Sequence, residues 1–198
     1  THSHPPAKFA ANTPCLKVIC PSTPADATGM LKSAIRDNDP VCVMENTILY
    51  NLRDEVPEEG DFTIPLGKSK VVREGNDLSI IAHGKAVHTS ILVAQTLEEK
   101  YQVSVEVLDL RSIRPLDTES ILSSVRKTNR VLLVEENKPF CGIDAQICFL
   151  IQDQAFDYLD APIKRVSAID VPQAYSKALE SVQIPDHDRV LAKALELI

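Results

Sequence analysis

Short β-branched, apolar runs alternate with stretches of helical periodicity along almost the whole chain, and this alternation limits the possible fold more than any other feature. Leu16–Cys20, Val41–Glu45, Leu78–Ala82, Val103–Leu108, Val131–Glu135 and Ile163–Val166 each read as a short buried strand. In Thr23-Pro24-Ala25-Asp26, Thr23 suits an N-cap, Pro24 the first helical position and Asp26 the free amides, so a helix is predicted to about Asp37. A second helix follows His83-Gly84 to about Lys100, with Val87, Ile91, Leu92, Ala94 and Leu97 on its apolar face. Asp117 caps a third, which carries Ile121, Leu122 and Val125 and closes at Asn129; a fourth follows Gly142 to about Gln152. Two last helical segments are punctuated by Pro172 and Pro185. Such a pattern predicts an α/β protein with a mainly parallel sheet.

The periodicity fades between residues 46 and 66, where Arg53 to Asp61 is charged and contains Pro57 and Gly60. That composition marks a surface linker and divides the chain into residues 1–60 and 61–198. With 44% hydrophobic and 25% charged residues among 198, the chain can bury a sizeable core, which excludes collagen-like, coiled-coil and disordered classes. A formal charge of −7 without a basic cluster argues against nucleic acid or an anionic membrane as partner. No apolar run approaches the roughly 18 residues of a membrane span. Thr1-His2-Ser3-His4-Pro5-Pro6 lacks the basic and apolar regions of a signal peptide, so a cytosolic-type protein is expected. Five scattered cysteines without a C-x-x-C pair are expected to be reduced and mostly buried. The polar opening stretch is an unusual start for a domain, and Thr1 is expected to lie inside a longer protein.

Strong local motifs are missing: there is no G-x-S-x-G, Walker loop, dinucleotide fingerprint or H-E-x-x-H. His2 and His4 would share one face of an extended segment, as metal ligands or as an exposed polar tail. In open parallel sheets, ligands bind at the C-terminal ends of the strands. That singles out His83-Gly84, Asp109 to Asp117 and Glu135 to Lys138. Asp109, Arg111, Arg114 and Asp117 read either as an anion-binding cluster or as a structural salt-bridge turn. Glu135 and Glu136 face opposite sides if extended, so one is expected to cap or pair while the other is solvated.

Whole segments resemble a known family. Pro14-x-Leu16-Lys17-Val18, Pro21-Ser22-x-x-x-Asp26-Ala27-x-Gly29, Lys32 to Val41, Glu45-Asn46 and Leu49-Tyr50 resemble the β subunit of thiamine-dependent 2-oxo acid dehydrogenases. So do Ile64 to Lys68, Val107-x-Asp109 to Asp117, Val134-Glu135-Glu136, Asp160-Ala161-Pro162 and Asp170-Val171-Pro172. The resemblance runs in order over essentially the whole chain. In Ala34 to Pro40 and Glu45-Asn46 it is nearer the pyruvate type than the branched-chain type.

The resemblance implies the end of a thiamine pyrimidine-binding α/β domain over residues 1–60, followed by a transketolase C-terminal-like three-layer α/β/α domain over 61–198. Family members extend further toward the N-terminus, where the glutamate that activates the cofactor lies, so this chain alone is expected to be inactive. It further implies thiamine diphosphate with magnesium, held mostly by residues outside this chain, in an α2β2 assembly with an α subunit and a second β subunit. His2 matches the family's active-site histidine in a His-Ser-Gln stretch, although His4 stands where the family has Gln. Ala34, Ile35, Asp37 and Asp39 match a structural potassium site. Asp160 and the C-terminal carboxylate of Ile198 fall where the family engages the lipoyl acyltransferase core. The implied compartment is the bacterial cytoplasm or the mitochondrial matrix. A branched-chain or acetoin dehydrogenase β subunit, a non-catalytic docking module and a related transketolase-type synthase are the competing readings.

Overall fold

In a computed structural model that describes residues 5–58 and 60–198, the strands fall into two sheets. The chain begins with α1 (Ala7–Ala11), β1 (Lys17–Ile19), α2 (Pro24–Arg36) and β2 (Val41–Val43), then a 3₁₀ turn at Thr47–Asn51. After the linker come β3 (Lys70–Arg73), β4 (Leu78–Ala82), α3 (Lys85–Tyr101), β5 (Val105–Asp109), β6 (Ser112–Arg114) and α4 (Thr118–Thr128). The remaining elements are β7 (Val131–Val134), α5 (Ile143–Gln154), β8 (Lys164–Val166), α6 (Lys177–Gln183) and α7 (His187–Leu195), with a 3₁₀ turn at Phe156–Tyr158.

The larger sheet has the order β3-β5-β4-β7-β8 and is parallel except for β3, which runs antiparallel to β5. Alternate residues serve opposite faces, as the two-residue strand period requires. Leu78, Ile80, Val105, Val107, Leu132 and Val134 share a core with Val87, Ala94 and Leu97 of α3 and Val190 and Ala194 of α7. Ile81, Leu108, Val131 and Leu133 face Ile121 and Val125 of α4 and Ile147 and Ile151 of α5. The result is three layers, helices over both faces of the sheet.

The smaller sheet, β2-β1-β6, joins two strands of the first unit to one from the second. Val18 pairs with Arg114 and Ile19 with Ser112 in antiparallel register, while β1 and β2 are parallel. Val18 and Cys20 belong to the same apolar cluster as Ile81 and Leu108, so one core runs under both units. On the opposite face Ile19, Met30 and Ile64 form a separate small core with Phe62 and Leu66 around it. Gly29 makes that approach possible: a Cβ there would lie 2.7 Å from Cγ1 of Ile64. Thr23 caps α2 as read, its Oγ1 accepting the Asp26 N–H at 3.1 Å, but the Asp26 carboxylate turns from the free amides to Arg111 and Ser22.

Three elements, the strands β3 and β6 and the helix α1, go beyond the strands and helices that the sequence pattern predicts. Asp109 to Asp117 reads as a turn throughout, yet its middle pairs as β6. The cysteines are all free, but only Cys20 is buried; Cys42 and Cys148 are half-buried, and Cys15 and Cys141 are exposed. Among the described residues no helix is long and apolar enough to cross a membrane.

Candidate functional site

The C-terminal ends of β4, β5 and β7 meet the end of β1 in a buried polar zone. His83 follows β4, Asp109 ends β5 and Glu135 follows β7, so the three loops singled out by strand order do converge. Glu135 is almost wholly buried and reaches into the start of α5, where its oxygens accept the N–H groups of Ile143 and Asp144, each at 3.3 Å. It therefore caps α5 from a neighbouring strand, satisfying amides that have no partner within the helix. Asn137 Nδ2 donates to Glu135 Oε2 at 2.8 Å, and His83 Nε2 lies 3.7 Å from the same oxygen. Gly142 is demanded by this close approach, because a Cβ there would collide with Glu135 Oε1.

Asp144 adds a second buried carboxyl, bonded by Ser167 Oγ at 2.8 Å and paired with Arg165 Nη1 at 3.2 Å. Burial and then the Glu135 carboxylate push the Asp144 carboxyl well up, to about 7. For Glu135, burial also pushes upward, but the neighbouring His83, Asp144 and Asn137 side chains outweigh it and hold the group low. Two close buried acids resist ionising together, so Glu135 keeps its charge while Asp144 holds its proton to higher pH. Burial disfavours the His83 imidazolium, yet contacts with Cys20 and Glu135 outweigh burial and raise its affinity for a proton. Glu136 is half-buried and joins the units, accepting from Asn46 Nδ2 at 2.9 Å and pairing with Lys85 Nζ at 3.2 Å. Of the adjacent pair, then, Glu135 caps; Glu136 bridges two units rather than facing solvent alone.

The second half of the zone lies across the β1–α2 turn. Arg111 Nη2 pairs with Asp26 Oδ1 at 2.5 Å, and Ser22 Oγ meets both Asp109 Oδ2, very closely, and Asp26 Oδ2 at 3.3 Å. His88 Nε2 lies 2.7 Å from the Ser22 carbonyl; since a carbonyl only accepts, the ring donates from Nε2. Asp117 caps α4 through Ser120 and also accepts the Ser69 N–H, while Arg114 donates to the Ala11 carbonyl at 2.6 Å. Asp109, Arg111, Arg114 and Asp117 are each committed to a protein partner, which favours the structural reading of that turn over an anion site. Beside it a cleft of about 540 Å³ is lined by Arg111, Lys70, Glu55, Phe62 and Ile64.

His2 lies outside the described residues. At the end of α2, Lys17 Nζ bonds both oxygens of Asp37 at 2.7 Å and Asp39 Oδ2 at 3.1 Å. The Asp37 N–H reaches the Ala34 carbonyl at 3.3 Å, and the Asp39 N–H goes to Asp37 Oδ1 at 2.9 Å rather than back to Ile35. The turn thus presents two carboxylates against one ammonium, a net charge of −1, with the Ile35 carbonyl at a helix end. Asp160 is exposed, its N–H bonded to the Asn129 carbonyl at 2.9 Å, and Ile198 is 42% exposed. Lys164 pairs with Glu196 at 2.9 Å and so ties the segment after Asp160 to the one before Ile198. Among the described residues, no three His, Cys, Asp or Glu side chains converge as a metal site.

Sequence reasoning misses the meeting of Asp26, His88 and Asp109 at Ser22. The only signal is Ser22 and Asp26 at the end of a parallel strand, and the capping role of the same segment absorbs it.

The chain is 48% identical over 191 residues to the pyruvate dehydrogenase E1 component subunit beta of Bacillus subtilis, covering 96% of this chain and 58% of that protein. It is 44% identical over 197 residues to the acetoin:2,6-dichlorophenolindophenol oxidoreductase subunit beta of the same organism, covering 100% and 57%. Identity is also 44% over 201 residues to the mitochondrial pyruvate dehydrogenase E1 component subunit beta of Saccharomyces cerevisiae, covering 100% and 55%. The chain thus spans little more than half the length of these curated relatives. A solved structure described as a split gene transketolase, inactive beta4 tetramer, superposes with a TM-score of 0.79 at 22% identity, covering 99% of this chain and 62% of that one; this likeness concerns the fold. The transketolase pyrimidine-binding domain model matches residues 1–53. The transketolase C-terminal domain model matches residues 67–190, more than half of the chain, and the chain belongs to that family.

Proposed function

We propose that this chain is a portion of a β subunit of the thiamine-dependent decarboxylating component of a 2-oxo acid dehydrogenase, with pyruvate as substrate. The observation that carries the reading is 44–48% identity, over nearly the whole chain, to pyruvate dehydrogenase β subunits of a bacterium and a mitochondrion. Residues 1–60 form the end of the pyrimidine-binding domain and 61–198 the second domain, a division supported by family matches that stop at 53 and resume at 67. Thiamine diphosphate, with magnesium, supplies the electron sink for decarboxylation. No described residue of this chain is assigned to hold either group. His2 supplies an imidazole that binds the substrate carboxylate or moves a proton during transfer to the lipoyl group.

The other roles belong to assembly. An α subunit and a second β subunit complete the enzyme, and Asp160 with the Ile198 carboxylate offers two anions to a basic segment of the acyltransferase core. Ala34, Ile35, Asp37 and Asp39 hold potassium in this reading, at a turn where the Lys17 ammonium meets both carboxylates. The chain alone is inactive in this reading.

Fusion to the portion of the Bacillus subtilis pyruvate dehydrogenase β subunit that this chain does not span, with that enzyme's α subunit, is expected to give thiamine-dependent pyruvate decarboxylation. His2→Ala in the same assembly should abolish most of it. Turnover of acetoin in preference to pyruvate would favour the second reading, which the 44% identity to the acetoin enzyme supports. Binding of the acyltransferase core without any decarboxylation would make the chain a docking module.

A further inference from the structure

The hydrogen bonds between the two units do not balance when every carboxyl is ionised. Ser22, Asp26 and Asp109 are all at most 1% exposed and are shut off from bulk solvent. Ser22 Oγ carries one proton but touches two carboxyl oxygens, Asp26 Oδ2 and Asp109 Oδ2, and among the described residues these are the only hydrogen-bond contacts of those two oxygens. With both groups ionised, one of the contacts is oxygen against oxygen with no hydrogen between them. A single additional proton removes the conflict.

We propose that Asp109 carries that proton in the folded protein, making a directed chain from the Asp109 hydroxyl to Ser22, from Ser22 to Asp26, and from the Arg111 guanidinium to Asp26. The choice between the two acids rests on their partners. Asp26 is ion-paired with the Arg111 guanidinium at 2.5 Å, whereas Asp109 has only the Arg111 backbone N–H at 2.9 Å on its other oxygen. The other titratable groups around it are His83 after β4, Lys70 on β3 and His88 on α3. His83 is turned to Glu135, Lys70 is exposed, and His88 is occupied by the Ser22 carbonyl. Burial raises the Asp109 carboxyl to about 6, in the same sense.

The proton makes the junction pH-sensitive. Asp109 is held above its unfolded value of 3.8, so its contribution is full below that value and is lost as the pH rises through about 6. Acidification from neutral pH closes the chain of bonds between the units, and alkalinisation opens it.

The direct measurement is the ¹³Cγ shift of Asp109 against pH in the wild-type chain, assigned by comparison with Asp109→Asn. A midpoint near 6 is the expected result. A midpoint at or below about 4 overturns the proposal. Denaturation supplies the second readout: the wild-type unfolding constant should rise by on the order of 10²-fold between pH 4 and 7 from this group. Asp109→Asn, whose amide can donate to Ser22 at every pH, should lack that component. An unchanged pH dependence in a folded Asn variant also overturns it.

Discussion

The two sheets are built by the same rules but are finished to different degrees. In the five-stranded sheet every residue of β4, β5 and β7 is buried, and helices cover both faces. In the three-stranded sheet all three residues of β2 are only half-buried, and Leu31 and Ile35 of α2, with Ile48 and Tyr50 just beyond, stand exposed. The smaller sheet is supported chiefly through its neighbour: Val18 and Cys20 share the core of the second unit, and β6 is lent by it. Side chains of similar chemistry therefore carry different energetic weight according to which sheet holds them.

Truncation should expose that contrast most sharply. Leu132→Ala, in a strand buried on both faces, is expected to cost about 2–5 kcal/mol in chemical denaturation. Val43→Ala, in half-buried β2, should cost less than about 1.5 kcal/mol; equal losses would mean that the two sheets are equally well packed. Gly142→Ala forces a methyl against Glu135 and should cost about 1–3 kcal/mol, because the carboxylate that caps α5 must move. For the same site Asp144→Asn tests the raised carboxyl. Asp144 is raised above its unfolded value, so its stabilisation is present below about pH 4 and is lost as the pH rises through about 7. The variant should show a flatter stability profile over that window. The smallest effect is expected at Thr23→Ala, about 1 kcal/mol from the lost α2 cap, and it should be confined to the first unit in hydrogen exchange.

The same contrast decides what can be read from the sequence. Strand β4 is legible residue for residue because Leu78–Ala82 is apolar except for Ser79 and bounded by Asp77 and His83-Gly84. Helices α2 and α4 announce their own caps at Thr23 and Asp117. Strand β6 has no such signal: Ser112-Ile113-Arg114 sits between Arg111 and Pro115, and only pairing with β1 makes it extended. Strand β3 is an edge whose charged Lys70 and Arg73 obscure its pattern. At the site, strand order points to His83, Asp109 and Glu135. Their partners Ser22, Asp26 and Cys20 come from the other unit, and no spacing along the chain encodes that meeting.

Three residues of β6 have an outcome that concerns how the polypeptide could be made rather than how it works. Because β6 completes the smaller sheet through β1, a break in the backbone between Leu52 and Gly60 would not by itself free the two pieces. The hydrogen bonds of β1 with β6, the Arg111–Asp26 ion pair and the shared apolar core would still hold them. Supplied as two separate polypeptides, the units would meet through β6, the strand that the second donates to the first.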